Sequence, residues 1–138
     1  MPIIEGTNRT SVGASGRPKA AVALYDFAVD GGAVGDIALR GDQIPASAVI
    51  VDTLIVVDTA VTGGGSATLA LKAESAADLQ AAAAVTGAPW STTTPKRASL
   101  TATSAPVRTT AARTPTATVA TAALTAGKFT VVVWYVEL

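Results

Sequence analysis

The chain contains no cysteine and no histidine. Without cysteine there are no disulfide staples and no thiolate metal sites, and the redox compartment is left open. Without histidine as well, zinc centres, Ser-His-Asp triads and thiol chemistry are closed off, so only carboxylates and lysines remain for catalysis or ion binding. An excess of either charge is also missing: Lys+Arg number 10, Asp+Glu number 10, and the formal net charge is zero. The cations are scattered singly apart from Lys96-Arg97, which leaves no electrostatic footprint for a phosphate backbone, so nucleic acid is not an expected partner. Long apolar runs are absent too. Asp52 and Asp58 interrupt the longest candidate, which rules out a membrane-spanning helix there, and no membrane partner is expected. Met1 to Lys19 carries Glu5, Arg9, Arg17 and Lys19 without a continuous apolar stretch, so it does not read as a signal peptide, and a protein made and kept without secretion is expected.

Aromatic residues make up only 4% of the chain although 49% of it is hydrophobic. Alanine, valine and threonine supply most of the bulk, and a core built from small and β-branched side chains favours sheets over helical bundles. A length of 138 residues gives room for one ordinary domain, burying roughly 68% of the surface its unfolded chain exposes.

Residues 1 to 19 combine Pro2, Gly6, Gly13, Gly16 and Pro18 with Ser, Thr and Asn. Such a segment cannot bury enough apolar surface to offset its own ordering, and it reads as an extended arm preceding a domain over residues 20 to 138. At roughly 3.3 Å per residue the arm reaches about 60 Å, far enough to cross a neighbouring subunit.

From Ala20 to Val29 the chain alternates, with Tyr25, Phe27 and Val29 on one face, and Asp30-Gly31-Gly32 predicts the turn of a hairpin whose second strand holds Ile37 and Leu39. Val49, Val51, Thr53, Ile55 and Val57 predict one unbroken core face on a third strand. After the Gly63-Gly64-Gly65 loop, Ala67, Leu69, Leu71 and Ala73 mark another strand. Ser75 with Asp78 three residues on, an alanine run and Gly87 predict one short helix. Two strands are expected around Ala98 to Ala102 and around Ala117 to Val119, joined by a loop over Pro106 to Thr114. Lys128 to Glu137 is the strongest strand of the chain, with Phe129, Val131, Val133 and Tyr135 on one face, Val132, Trp134 and Val136 on the other, and both faces expected to be buried. The fold class is therefore mainly β, an antiparallel β-sandwich or jelly-roll-like domain with one short helix and an extended N-terminal arm.

Features that could carry chemistry have plainer explanations. Asp52 and Asp58 share a face, but six residues at about 3.3 Å each separate them by about 20 Å, too far for a glycosidase pair. Asp26, Asp30, Asp36 and Asp42 lie near the first hairpin without the spacing of an EF-hand loop, and turn and cap chemistry accounts for them better than calcium. Arg40-Gly41-Asp42 spells an adhesion tripeptide, yet Gly and Asp suit a turn. Asn8-Arg9-Thr10 matches a glycosylation acceptor that matters only after secretion. The triple glycine lacks the Lys-Ser/Thr of a phosphate loop. No cofactor and no enzymatic activity are expected. The face formed by Phe129, Val131, Val133 and Tyr135 must be covered either from within, by the helix or a second sheet, or by another subunit.

The stretches Tyr25-Asp26-Phe27-Ala28-Val29-Asp30-Gly31-Gly32, Ile44-Pro45 leading into Ala48-Val49-Ile50, Gly87-Ala88-Pro89-Trp90, and Leu124-Thr125-Ala126-Gly127-Lys128 before the last strand resemble small virion proteins of tailed bacteriophages. The resemblance runs from about Tyr25 to the C-terminus and involves turns and strand starts. It implies a capsid decoration, or cement, protein on the virion surface, assembled in the bacterial host cytoplasm. The implied partners are the major capsid protein and further copies of the chain, in a homotrimer, with avidity from repeated contacts. The candidate contact residues are Ile3, Ile4, Arg9, Val12 and Arg17 of the arm, together with Trp90, Phe129, Val131, Val133 and Tyr135. Two other readings are a head-fibre base, neck or tail component, and a carbohydrate- or receptor-binding module, for which Trp90 is the obvious exposed aromatic.

Overall fold

The computed structural model describes residues 17–99 and 106–138. Among these residues ten strands form two antiparallel sheets. The larger has the order β3 (Arg40–Gly41), β1 (Pro18–Asp26), β10 (Leu124–Glu137), β4 (Ala48–Gly63), β7 (Lys96–Arg97), with β8 (Val107–Arg108) also on β4. The smaller has the order β2 (Gly35–Ala38), β9 (Thr116–Ala120), β5 (Thr68–Lys72), β6 (Gln80–Ala84). This is the expected mainly β, two-layer arrangement.

The core is the space between the layers. From the larger sheet Ala21, Ala23, Tyr25, Ile55, Val57, Phe129, Val131 and Val133 point inward, and Leu69, Leu71, Ala117 and Val119 answer from the smaller one. Small side chains on β1 let Tyr25 and Phe129 stack at 5.0 Å and Trp90 pack on Phe129 at the same separation. Three of the six aromatics, Tyr25, Trp90 and Phe129, thus form one buried cluster, where each contributes a large buried area. Thr109 fastens the loops at one end, its hydroxyl donating to the Pro45 carbonyl at 2.6 Å and accepting from the Ala48 amide at 3.0 Å.

Four local expectations are corrected. The first strand stops at Asp26, and Phe27–Asp30 is a one-turn helix, α1. Asp26 accepts from the Ala28 amide at 3.0 Å while Asp30 reaches back to the Asp26 amide at 2.8 Å, and Gly31, at φ 75°, closes the turn. This reciprocal capping outweighs the alternation of Phe27 and Val29. The expected hairpin does not form, because β2 pairs with β9 in the other sheet and the chain changes layer at Leu39 before β3 joins β1.

The helix predicted from Ser75 to Gly87 is absent. Asp78 instead gathers the amides of Ala73, Glu74 and Ser75 at 2.6–2.9 Å into a tight turn, and Gln80–Ala84 is strand β6 beside β5. Buried Gln80 accepts from the Ser99 amide and donates to the Ala81 carbonyl, so tertiary pairing overrides alanine's helix preference. The core face of β4 is also interrupted: a bulge opposite Trp134/Tyr135 turns Val49 and Val51 outward and Ala48 and Ile50 inward, since one extra residue moves every later side chain to the other face.

Candidate protein-interaction surface

The two layers differ sharply on their outer faces. In the larger sheet Ala20, Val22 and Leu24 stand opposite Trp134, Val132 and Thr130, which stand opposite Asp52, Leu54 and Val56. Cross-strand partners share a face, so these side chains lie together on the side away from the core, apolar except for Thr130 and Asp52. Val22, Leu24 and Trp134 are 38%, 42% and 40% exposed, and bulged Val51 is 56% exposed. In the smaller sheet the outer positions are Thr68 opposite Ala120, Ala70 opposite Thr118 and Lys72 opposite Thr116. There Asp36 accepts from the Lys72 ammonium at 2.6 Å and the Thr118 hydroxyl at 2.8 Å. Those two bonds hold the Asp36 carboxyl below the ordinary carboxylate range. One face is greasy and the other polar and self-satisfied.

Charges fringe the apolar face. Arg97 lies opposite Leu54 and Arg40 opposite Leu24. Arg40 pairs with Asp30 at 2.9 Å, its side chain 46% exposed against 9% for the aspartate. Arg97 is 83% exposed and only loosely paired with Asp52 at 3.4 Å. Asp52 in turn accepts from the Thr53 amide at 2.9 Å. In both pairs the cation is the more exposed member, but only Asp30 is withdrawn; Asp52 is itself 41% exposed, opposite Trp134. At the end nearest α1 a shallow cleft of about 220 Å³ opens onto this face, lined by Leu24, Val29, Arg40, Asp58 and Lys128 among others.

The sequence-derived candidates fall elsewhere. Ile3, Ile4, Arg9 and Val12 lie outside the described residues, as does the Asn8-Arg9-Thr10 pattern; Arg17 is exposed just before β1. Trp90, Phe129, Val131 and Val133 are at most 1% exposed and Tyr135 is 9% exposed, so the protein's own second layer covers them and they present no contact surface. Trp90 is not a loop aromatic open to sugars: its indole N–H donates to the Leu69 carbonyl at 3.1 Å inside the core. The other face of the last strand, with Val132 and Trp134, was expected to be buried as well and is instead the one left open. The signal was the pairing of two apolar faces on the last strand with only enough partner surface to cover one.

The carboxylates near the start of the chain serve the fold. Asp26 and Asp30 cap α1, Asp36 pairs with Lys72, and Asp42 accepts from the Val22 amide at 3.0 Å. Among the described residues no group of carboxylates is placed to hold a metal ion, and no helix is long and apolar enough to cross a membrane. The Arg40-Gly41-Asp42 triplet is strand β3 and its continuation, with the arginine and aspartate both engaged within the chain.

No protein-family model and no curated protein sequence matches the chain. Solved structures do. A chain of the acidic stable capsid structure of Helicobacter pylori bacteriophage KHP30 superposes with a TM-score of 0.59 at 14% identity, over 88% of this chain and 89% of that one. A chain of the cyanophage Pam1 capsid asymmetric unit does so with a TM-score of 0.57 at 21% identity, over 90% and 87%. The shared feature is the fold, and because the two shares nearly agree in each case, those chains are of about this chain's length.

Proposed function

We propose that the protein is a structural component of a tailed-bacteriophage virion, a decoration protein that attaches to the capsid surface and stabilises it by binding the major capsid protein. The observation that carries this reading is the whole-chain likeness, in fold and in length, to chains of two phage capsids. The one-sided apolar surface supports it, since the main contiguous apolar patch of a protein is often its contact site. The protein is made in the bacterial host cytoplasm, assembles as a homotrimer, and uses the segment expected at residues 1 to 19, less Pro18 and Lys19, which belong to β1, as an arm toward neighbouring subunits. Its role is mechanical: repeated weak contacts over many copies hold adjacent shell subunits together. It does no catalysis.

The test is co-sedimentation of the purified protein with capsids of the encoding phage assembled without it, with copies per particle counted against the major capsid protein. Stoichiometric binding and a higher rupture temperature are expected. Protein left in the supernatant would overturn the reading, and a few copies per particle would favour a neck or tail component. Deleting residues 1 to 17, which leaves β1 whole, is expected to weaken binding and leave the sandwich folded, and the solution mass of the intact protein tests the trimer.

A further inference from the structure

We infer that the outer face of the larger sheet, centred on Trp134, is the surface that docks on the shell, and that it fits a protein surface with an apolar centre ringed by carboxylates. The inference rests on the decoration reading above. Val22, Leu24, Val132, Trp134, Leu54 and Val56 stand on adjacent strands β1, β10 and β4, so they make a continuous patch. The opposite outer face, with Thr68, Thr116, Thr118 and the Lys72–Asp36 pair, offers no comparable hydrophobic area.

The fringe sets the charge of the partner. The arginines of both flanking pairs project into solvent, 46% and 83% exposed, while their aspartates are the less exposed members. At its rim a surface approaching the patch meets these guanidinium groups, and a carboxylate that reaches loosely paired Arg97 gains charge-assisted hydrogen bonds.

The size of the patch selects the occupant. Three strands about 4.8 Å apart and a run of roughly six residues at about 3.3 Å give a face on the order of 15 Å by 20 Å, or roughly 300 Å² per partner. Stable complexes bury about 800 Å² per partner. A second copy packed face to face would also bring like-charged rims together. A repeating shell removes both difficulties: its rim can be acidic, and attachment at several points raises the effective affinity of each small contact.

The experiment uses the full-length protein and the same capsids. Val132→Lys/Trp134→Lys and, separately, Arg97→Glu are compared with wild type and with Thr68→Lys on the opposite face, each checked by thermal melting. Attachment is expected to fall at least tenfold for the double variant. Arg97→Glu should weaken it severalfold and flatten its salt dependence, and Thr68→Lys should bind as wild type does. If the wild-type protein does not bind, the decoration reading itself fails. If wild type binds and Arg97→Glu and a folded double variant bind equally well, the assignment of the face is wrong while the function stands. Arg97 is so exposed that its variant remains informative even if the double variant misfolds. Loss on Thr68→Lys would move the docking surface to the other sheet, and a concentration-dependent dimer abolished by Trp134→Lys would make a second copy the occupant; either overturns the inference.

Discussion

Trp90 is the residue on which the packing account is most exposed to refutation. It is the largest fully buried side chain, packs on Phe129 at 5.0 Å, and satisfies the Leu69 carbonyl with its indole N–H. Its backbone carbonyl also accepts from the Val61 amide of β4 at 3.0 Å, so the ring and its peptide unit together join β5 of one sheet to β4 of the other. Truncation to alanine removes a large transfer term and leaves a cavity, costing about 3–5 kcal/mol. It also leaves a buried carbonyl short of a donor, for about 1 kcal/mol more. At about 2.1 cal/mol/K per residue the unfolding entropy of a chain of 138 residues is about 0.3 kcal/mol/K, so a loss of ~4 kcal/mol lowers Tm by roughly 14 °C. Trp90→Phe keeps most of the buried area and loses the hydrogen bond, for about 1–2 kcal/mol and roughly 5 °C. Trp134→Ala, on the open face, should move Tm by no more than about 2 °C. Differential scanning calorimetry on the three variants decides it. If Trp90→Ala melts within about 3 °C of wild type, or if Trp134→Ala is the more damaging change, the assignment of which tryptophan faces the core is wrong.

Three further outcomes follow from particular residues. Burial first, then Asp30 and Asp26, push the Tyr25 hydroxyl up to about 12 from 10.0. The folded state therefore favours the neutral phenol, and the stability it contributes is complete below pH 10 and lost as pH rises toward 12; denaturant melts of Tyr25→Phe should be flatter over that window than wild type. Arg113, then the Thr110 hydroxyl and amide, hold the Glu74 carboxyl down to about 2 from 4.5. Its contribution is present above pH 4.5 and lost as pH falls toward 2, so Glu74→Gln should lower stability at pH 7 and lose less of it on acidification, read by melting from pH 7 to 2. Gly41 sits at φ 128°, where an added methyl would strike the Val22 carbonyl. Gly41→Ala should cost at least about 2 kcal/mol through backbone strain and speed hydrogen exchange of the amides joining β3 to β1. Unchanged protection would contradict the placement of β3.

The layer architecture was legible because it depends on alternation, and alternation is local. Leu69 and Leu71, Ile55 and Val57, and the Phe129 to Tyr135 series each point to the core as their period requires. What failed depended on contacts the sequence does not order. The alanine run after Asp78 has the composition of a helix, and only the presence of β5 and Ser99 beside it makes it a strand. Capping by Asp26 and Asp30 was visible as residue types, but its preference over two more strand positions needed Arg40, ten residues further on, to fix Asp30. The inversion at Val49 and Val51 arises from a bulge, whose position depends on how β4 meets β10. The burial of Phe129, Val131, Val133 and Tyr135 was left open for a related reason: with two apolar faces on β10, period alone does not say which one the second sheet covers. The decision lies with β1, where alanines at 21 and 23 oppose Val133 and Val131 and leave room for a second layer, while Val22 and Leu24 on the other side do not enter it.

The edges of the larger sheet bear on how a partner approaches. An open edge strand invites another chain to add to the sheet through its free amides and carbonyls. Here both edges are blunted: β3 and β7 are two residues each, Asp42 takes the Val22 amide with its side chain and gives its own amide to the Val22 carbonyl at 2.9 Å, and Pro18 at the start of β1 has no amide hydrogen to offer. On β4, the Thr53 carbonyl accepts from the Ala98 amide at 2.9 Å and the Val61 amide donates to Trp90 at 3.0 Å. Strand addition is therefore disfavoured along much of each edge. The apolar side chains of β1, β10 and β4 meet no such obstruction, since nothing among the described residues crosses them. If these positions served only to form strands, threonine would serve, as it does at 68, 116 and 118 on the opposite layer. Valine, leucine and a tryptophan there add hydrophobic exposure that weakens the solubility of a protein with no net charge, a cost that the docking proposed above would offset.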